Sequence, residues 1–412
     1  MDFVCSADGH LLEPKTLFLE RLPVAMRDRA LWEEEFEIEP FVAGGHRTFR
    51  RVHTPGYEGW CVSRYHQGDG RTPDGDPKLI LEDMDEDGID ATMLYPNLSL
   101  FALFTDDHEL SIAHARVYND YLVERYLPYK ARLRPACPIP LTDIGDAVAE
   151  IERVANAGLG ALLLPSVPPV PYTSRDYDPV WAAIQASGLP IFFHTATGGV
   201  KVKDPDAEFL KIITRSGQMS NLPMTPELAA ERMLGAAVSL TVAPQRLIID
   251  LVSAGVPERF PDLRFCLIEF GGNWFASLLG AMDKSWVTGI GQDADWWGGF
   301  WDASRPDDDQ PMMAQLFRVN ERWPHPLKPS EYVKRQFHIG FQDDPTAIAC
   351  RHVTGVSTLM WGNDYPHAEG TFRRSRELMT QLFAGVPEAE RQAIVGGTLS
   401  RIVGFEKSAA RA

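Results

Sequence analysis

Paired cysteines, long apolar runs and an excess of positive charge are all missing from this sequence. Its five cysteines are scattered without a C-x-x-C pair, which argues against a disulfide framework and a zinc-ribbon site. We expect reduced, mostly buried cysteines in a cytoplasmic protein. No stretch offers the ~18 uninterrupted apolar residues of a membrane span. The opening MDFVCSADGH has no signal-peptide pattern either.

The charge balance bears on partners. The formal net charge is −17 at pH 7, and an acidic surface repels phosphate backbones, so we expect no nucleic-acid partner. An anionic substrate stays possible, because a metal ion and a local arginine reverse the field inside a pocket. We expect a small molecule as substrate and no membrane partner.

Short apolar runs alternate with helical patterns along the 412 residues. Helical spacing is clear over residues 143–157 and 178–187, each followed by a glycine. Near-continuous apolar strands between helices predict a parallel sheet with both faces covered. A glycine-rich phosphate loop after an early strand is absent, so we predict a closed (β/α)₈ TIM barrel rather than an open sheet. The eight candidate strands lie at residues 3–7, 91–95, 134–139, 161–165, 190–193, 264–268, 336–340 and 358–362.

Two stretches exceed a minimal barrel, and we expect both to be loop insertions in one domain of residues 1–412. Residues of about 18–75 follow the first strand, and residues of about 283–330 follow the sixth. Loops after barrel strands build active sites. The tryptophan-rich run at 295–301 is therefore interpreted as a lid or substrate wall, with a dimer contact or ordinary packing as alternatives.

Four residues predict a metal site. Asp8 and His10 follow the first strand with Gly9 between them, and side chains two apart on a strand point the same way. His194 ends the fifth strand, and Asp364 follows the eighth. Strand carboxyl ends are where barrel active sites form, and a carboxylate buried there needs a cation. Imidazole and carboxylate ligands suit zinc, manganese or iron(II).

Glu269 ends the sixth strand in the run RFCLIE and is the candidate catalytic carboxylate. Two roles are open for it, a general base toward water or a further metal ligand. His367 comes three residues after Asp364, and we expect it to orient Asp364 or the substrate from outside the ligand set.

Several short motifs, taken together, resemble the second amidohydrolase family, which includes aminocarboxymuconate-semialdehyde decarboxylase and the resorcylate-type decarboxylases. They extend from near the start of the chain to about residue 370. The matching pieces are DGHLLEP at 8–14, MDEDGID at 84–90, His194, EFGG at 269–272 and WGNDYPH at 361–367.

The resemblance implies a (β/α)₈ barrel, one divalent metal ion and, by family habit, a homodimer or higher homo-oligomer. It assigns Asp8, His10, His194 and Asp364 as ligands, with zinc as the first candidate. The run ALLLPS at 161–166 lacks the carboxylated lysine of binuclear relatives, which favours a single ion. One departure is Glu269, where the characterised decarboxylases have a histidine.

That departure favours hydrolysis, because a carboxylate accepts the proton of a metal-activated water. We therefore expect water to attack a C–N, C–O or C–C bond next to a carbonyl in a bulky or ring-bearing molecule. Glu269 or Asp364 would take the proton and pass it to the leaving group. The alternative is a non-oxidative decarboxylase of an aromatic or muconate-like acid.

Overall fold

The computed structural model describes residues 2–38, 47–53, 60–64, 75–103, 105, 107–195, 197–198, 234–235, 238, 241–289, 304–306, 325–367 and 369–407. Each of the eight runs predicted as a strand overlaps one, within a residue at either end or with a longer run, and the run at 134–139 overlaps two. The strands of the described residues are Cys5–Ser6 (β1), His10–Leu11 (β2), Trp32–Ile38 (β3), Arg47–His53 (β4), Trp60–Arg64 (β5), Ala91–Pro96 (β6), Leu133–Pro135 (β7), Cys137–Pro138 (β8), Leu162–Leu164 (β9), Ile191–His194 (β10), Phe265–Ile268 (β11), Phe337–Phe341 (β12) and Leu359–Trp361 (β13).

Parallel pairing follows the order of the chain. β1 and β2 pair with β6, β6 pairs with β7, and β8 through β13 form one continuous parallel sheet. The backbone N–H of Ala7 donates to the carbonyl of Trp361 across 2.9 Å, so the first strand also bonds to the last. The α/β prediction is confirmed, and this bond is one that closure of a barrel requires.

Helices connect the strands, and the two predicted from the sequence are confirmed. The helix Ile144–Asn156 begins where the Asp143 side chain accepts from the N–H of Asp146, and Gly188 ends another with a φ of 69°. Within the described residues no helix has the length and apolar character to cross a bilayer. The α-helices span Leu17–Arg21, Pro77–Asp87, His108–Arg125, Ile144–Asn156, Asp178–Ser187, Val242–Ser253, Val256–Arg259, Phe275–Gly289, Pro329–Gln336, Pro345–Ala349, Arg351–Thr354, Ser375–Leu382, Glu388–Gln392 and Thr398–Val403.

Alternation along the strands divides the core into two clusters. On β10, Ile191 and Phe193 belong to the cluster that includes most of the helices. Phe192 belongs to the other cluster, with residues of β1, β6, β9, β11 and β13 and of the helix Thr398–Val403. His194 lies two residues after Phe192, and residues two apart on a strand share a face. The side chain of His194 therefore points inward at the carboxyl end of the strands.

The first strand is interrupted rather than continuous. Ala91 lies opposite Cys5, 86 residues along the chain, whereas Tyr95 lies opposite His10, only 85 residues along. One extra residue is therefore accommodated between β1 and β2, as in a β-bulge, and bulges often re-aim side chains at barrel rims. Gly9 lies in this segment, where a Cβ would come within 2.9 Å of Thr92 Oγ1.

The stretch after the first strand contains secondary structure that the sequence did not predict. β3, β4 and β5 form an antiparallel sheet, with Glu34 opposite Arg51 and Glu35 opposite Arg50. Charged strands of this kind lack the apolar alternation by which strands are recognised. The tryptophan-rich run at 295–301 lies outside the described residues, so its interpretation as a substrate wall stays a prediction.

Candidate metal centre

The four predicted ligands come together at the carboxyl ends of the strands. Nε2 of His10 lies 3.4 Å from Oδ1 of Asp364 and 3.7 Å from Oδ1 of Asp8. Nε2 of His194 lies 3.6 Å from the same oxygen of Asp8. All four residues are buried, with at most 6% of their surface exposed. These contacts join residues that are up to 354 positions apart in the sequence.

Hydrogen bonding fixes the tautomer of His194. Its Nδ1 lies 2.9 Å from the carbonyl oxygen of Thr195, and a carbonyl only accepts, so Nδ1 carries the proton. Burial acts to lower the pKa of His194, but Glu269 and Asp8, which face Nε2, raise it to about 9. Nε2 is the nitrogen that would bind an ion once its proton is released. A backbone carbonyl behind the distal nitrogen is the usual way in which a ligating imidazole is oriented.

Buried atoms without hydrogen-bond partners concentrate in this cluster. Buried polar groups are ordinarily satisfied, so a group of orphaned ones needs an explanation. Donors bound at about 2.1 Å to a tetrahedral zinc ion lie about 3.4 Å from one another, close to the separations found here. The donor set fits a divalent ion. Among the described residues the orphaned atoms of the cluster are Oδ1 of Asp8, both ring nitrogens of His10, Nε2 of His194, Oδ1 of Asp364 and both ring nitrogens of His367.

The pKa shifts report the same crowding of charge. Burial raises the pKa of Asp8, and burial with the nearby His367 lowers the pKa of His10 to about 3. Burial also acts to raise the pKa of Asp364, but the adjoining His10 and His367 rings hold it below its ordinary value. His10 is thus kept neutral, the form in which an imidazole binds a metal ion.

Glu269 lies beside this donor set. Its Oε2 is 3.0 Å from Nε2 of His194, and 28% of its side chain is exposed. Its backbone has a φ of 64°, a left-handed conformation that is uncommon outside glycine. Burial raises the pKa of Glu269 well above its ordinary value, although the neighbouring His194 acts in the opposite direction. Strongly perturbed carboxyl groups at strand ends are typical of catalytic sites.

His367 and Glu369 complete the cluster. Nδ1 of His367 lies 3.0 Å from Oδ1 of Asp364, and its ring stacks on that of His10 with centroids 3.9 Å apart. Glu369, which sequence reasoning missed, contributes a carboxylate oxygen within 4.8 Å of the donor atoms of Glu269, Asp364 and His367. Its position two residues after His367 was the one available signal.

The chain matches a known protein family over nearly its whole length. The model of the amidohydrolase family matches residues 7–405. The chain belongs to this family. The resemblance drawn from the sequence is thereby confirmed, and membership assigns the chain to a superfamily of metal-dependent enzymes. Among curated proteins, no match to the chain is found.

Solved structures of similar fold span most of the chain. An amidohydrolase, map2389c, from Mycobacterium avium subsp. paratuberculosis K-10 is 19% identical, covers 99% of both chains and has a TM-score of 0.66. The 5-carboxyvanillate decarboxylase of Sphingomonas paucimobilis is 23% identical, covers 79% of this chain and 82% of its own, and has a TM-score of 0.55. A dihydroxybenzoic acid decarboxylase of Polaromonas sp. JS666 is 17% identical, covers 98% and 97%, and has a TM-score of 0.56. At these identities the likeness concerns the fold.

Proposed function

We propose that this amidohydrolase-family chain is a hydrolase that uses one divalent metal ion to cleave a bond next to a carbonyl in a bulky or ring-bearing small molecule. The observation that carries the proposal is the carboxylate of Glu269, 3.0 Å from Nε2 of His194 at the edge of the donor set. A carboxylate placed there is suited to accept a proton from water. Decarboxylation does not require such a base.

Asp8, His10, His194 and Asp364 are the residues that would hold the ion, with zinc as the first candidate. When bound, the ion would supply Lewis acidity, which polarises a carbonyl and makes water more acidic. A bound manganese in the structure of the Polaromonas decarboxylase makes manganese the next candidate. Histidine and carboxylate ligands accept both ions.

Residues of the chain would transfer the proton and hold the carboxylate of Asp364. Glu269 takes a proton from the attacking water, whose oxygen bonds to the carbonyl carbon. The same proton then passes from Glu269 to the leaving group as its bond to that carbon breaks. His367, 3.0 Å from Oδ1 of Asp364, holds that carboxylate in place.

Non-oxidative decarboxylation is the second candidate. It is favoured by several decarboxylases of hydroxylated aromatic acids among the similar structures, one of them solved with the inhibitor 2-nitroresorcinol. Four carboxylates border the site in the described residues, from Asp8, Asp364, Glu269 and Glu369. A divalent ion would offset the charge of the two proposed ligands, Asp8 and Asp364. The carboxylates of Glu269 and Glu369 remain, and negative charge there is unfavourable for a substrate that carries its own carboxylate, which supports ranking hydrolysis first.

Elemental analysis of the purified protein tests the metal site. We expect about one zinc, manganese or iron per chain in the wild type, and its loss in His10→Ala and His194→Ala. His352→Ala is the matched control, because that side chain is 63% exposed and interacts with Glu390 at a distance of 3.9 Å. Asp364→Asn should also lose the ion. Full metal content and activity in Asp364→Asn would overturn the proposal.

Product analysis of the loaded enzyme then separates the two reactions. Hydroxybenzoates and muconate-like acids are incubated in parallel with ring-bearing amides, esters and lactones. Turnover of the second set without carbon dioxide supports hydrolysis. Carbon dioxide release from the acids, together with no turnover of the second set, would replace hydrolysis by decarboxylation.

A further inference from the structure

The backbone at Asp364 is held in an unfavourable conformation. Its φ is 53°, in the left-handed region that costs a non-glycine residue about 1 kcal/mol or more. Such a conformation persists only where the surroundings enforce it. One constraint is the N–H of Asp364 itself, which donates to the carbonyl of Asp8 across 3.0 Å. Other constraints act on the residues on either side.

Two buried carboxylates bind the residues that flank Asp364. The hydroxyl of Tyr365 donates to Oδ2 of Asp83, and the amide of Asn363 donates to Oδ2 of Asp87 across 3.2 Å. Asp83 and Asp87 are four residues apart on the helix Pro77–Asp87, so they share one face of it. The helix is thus hydrogen-bonded to the loop on both sides of Asp364.

The burial of these two residues is unusual for their type. Asp83 and Asp87 are 5% and 4% exposed, whereas the side chain of Asp85 on the same helix is 66% exposed. Burying a carboxylate is costly unless donors satisfy it. The N–H and the hydroxyl of Ser375 both donate to Asp87, at 3.2 and 2.5 Å. A carboxylate that accepts several hydrogen bonds is held in one position, so it is suited to hold another group in place.

The loop is fixed to the first strand as well. Oγ of Ser6 lies 2.8 Å from Oδ1 of Asn363 and accepts from its N–H across 3.0 Å. The same hydroxyl lies 2.6 Å from the carbonyl of Asp8. Asn363 therefore links Asp87 on the helix to the segment that carries Asp8.

We propose that Asp83 and Asp87 are positioning residues for the metal site, because they hold Tyr365 and Asn363 and thereby aim the carboxylate of Asp364 at Nε2 of His10. The inference rests on the proposed ligand role of Asp364. It gives a physical role to the MDEDGID segment, residues 84–90, through Asp87 and the preceding Asp83, which accept hydrogen bonds from Asn363 and Tyr365.

Tyr365→Phe is the sharpest test, since it removes one hydroxyl. Metal dissociation constants are measured by competition with a chelating dye, so the readout does not depend on turnover. We expect the constant to rise about 10- to 100-fold, as when other groups behind metal ligands are removed. Tyr126→Phe is the matched control, because the buried hydroxyl of Tyr126 donates to the carbonyl of Gly75 across 2.9 Å. It should lower stability without changing metal affinity.

Asp83→Ala and the double variant Asp83→Ala/Tyr365→Phe examine the same bond from the other side. If the two groups act through one another, the double variant binds the ion no more weakly than the worse single variant. Wild-type affinity in Tyr365→Phe and in Asp87→Ala would overturn the positioning role while leaving the metal site intact.

Absence of metal binding by the wild type would instead reject the proposed function. In that case crystal structures of the metal-free wild type and Tyr365→Phe decide the positioning role. An unchanged φ at Asp364 and an unchanged 3.4 Å separation between its Oδ1 and Nε2 of His10 would overturn it. A rotated Asp364 would support it.

Discussion

Oε2 of Glu269 lies 3.0 Å from Nε2 of His194, the ring nitrogen left free by the hydrogen bond from Nδ1 to Thr195. This contact places a carboxylate at the edge of the candidate donor set, next to a proposed ligand whose Nδ1 already donates to a backbone carbonyl. The same position suits a base toward water and a further ligand. Substitution separates the two roles, because a base acts on rate and a ligand acts on metal affinity.

Glu269→Gln should keep the metal ion and lose activity. The amide is nearly isosteric but is a poor proton acceptor, so kcat is expected to fall about 10²- to 10⁴-fold. Metal content per chain and kcat are measured on the same preparation. Loss of the ion together with activity would make Glu269 a ligand, and wild-type kcat would remove it from the mechanism.

Gly362→Ala should disturb the site through Asp8. A Cβ at Gly362 would lie 2.6 Å from Cβ of Asp8 and 2.8 Å from its backbone nitrogen, closer than real contacts allow. Either Asp8 or the 362–364 loop must shift. We expect weaker metal binding and a free energy of unfolding lower by about 1–3 kcal/mol.

Gly280→Ala is the control for that substitution. Gly280 lies within the helix Phe275–Gly289, and a Cβ there would meet nothing within 4 Å. Because alanine is the better helix former, the free energy of unfolding of this variant should rise by about 0.5–1 kcal/mol. Its metal affinity should equal that of the wild type. Chelator competition and denaturant unfolding measure both variants. If Gly362→Ala and Gly280→Ala had the same metal affinity and the same free energy of unfolding, the close approach of residue 362 to Asp8 would be contradicted.

Stability should fall between about pH 6.5 and pH 4 because of His114. Nε2 of this buried histidine accepts from the N–H of Leu31 at 2.9 Å, and Nδ1 faces the carbonyl of Leu110 at 2.7 Å. Burial lowers its pKa from 6.5 to about 4. Above pH 6.5 both folded and unfolded chains are neutral at this residue. As pH falls toward 4 the unfolded chain gains the proton first, which lowers stability by about 3 kcal/mol at most.

Denaturant unfolding at a series of pH values measures how the free energy of unfolding changes with pH. His114→Gln should be less stable at pH 7, since it loses two hydrogen bonds. The difference in unfolding free energy between wild type and variant should then shrink as pH falls to 4. A constant difference across that range would show that His114 takes up its proton equally in both states.

Much of the candidate site could be predicted from the chain alone. Asp8, His10, His194 and Asp364 were chosen because each comes at the end of an apolar run, and parallel strands bring such ends together. The structure brings these four side chains together, and their role as ligands stays a prediction until metal is measured. Glu369 was missed because no apolar strand precedes it directly.

The sequence by itself determined the eight strands, their order and the kinds of side chain at their carboxyl ends. Those features depend on local composition and alternation, which neighbouring residues carry. Only the tertiary structure decided the bulge in the first strand, the left-handed backbone at Glu269 and Asp364, and the grip of Asp83 and Asp87. These depend on contacts such as Asn363 with Asp87, 276 residues apart, because a strained local conformation is stable only when distant parts of the fold hold it.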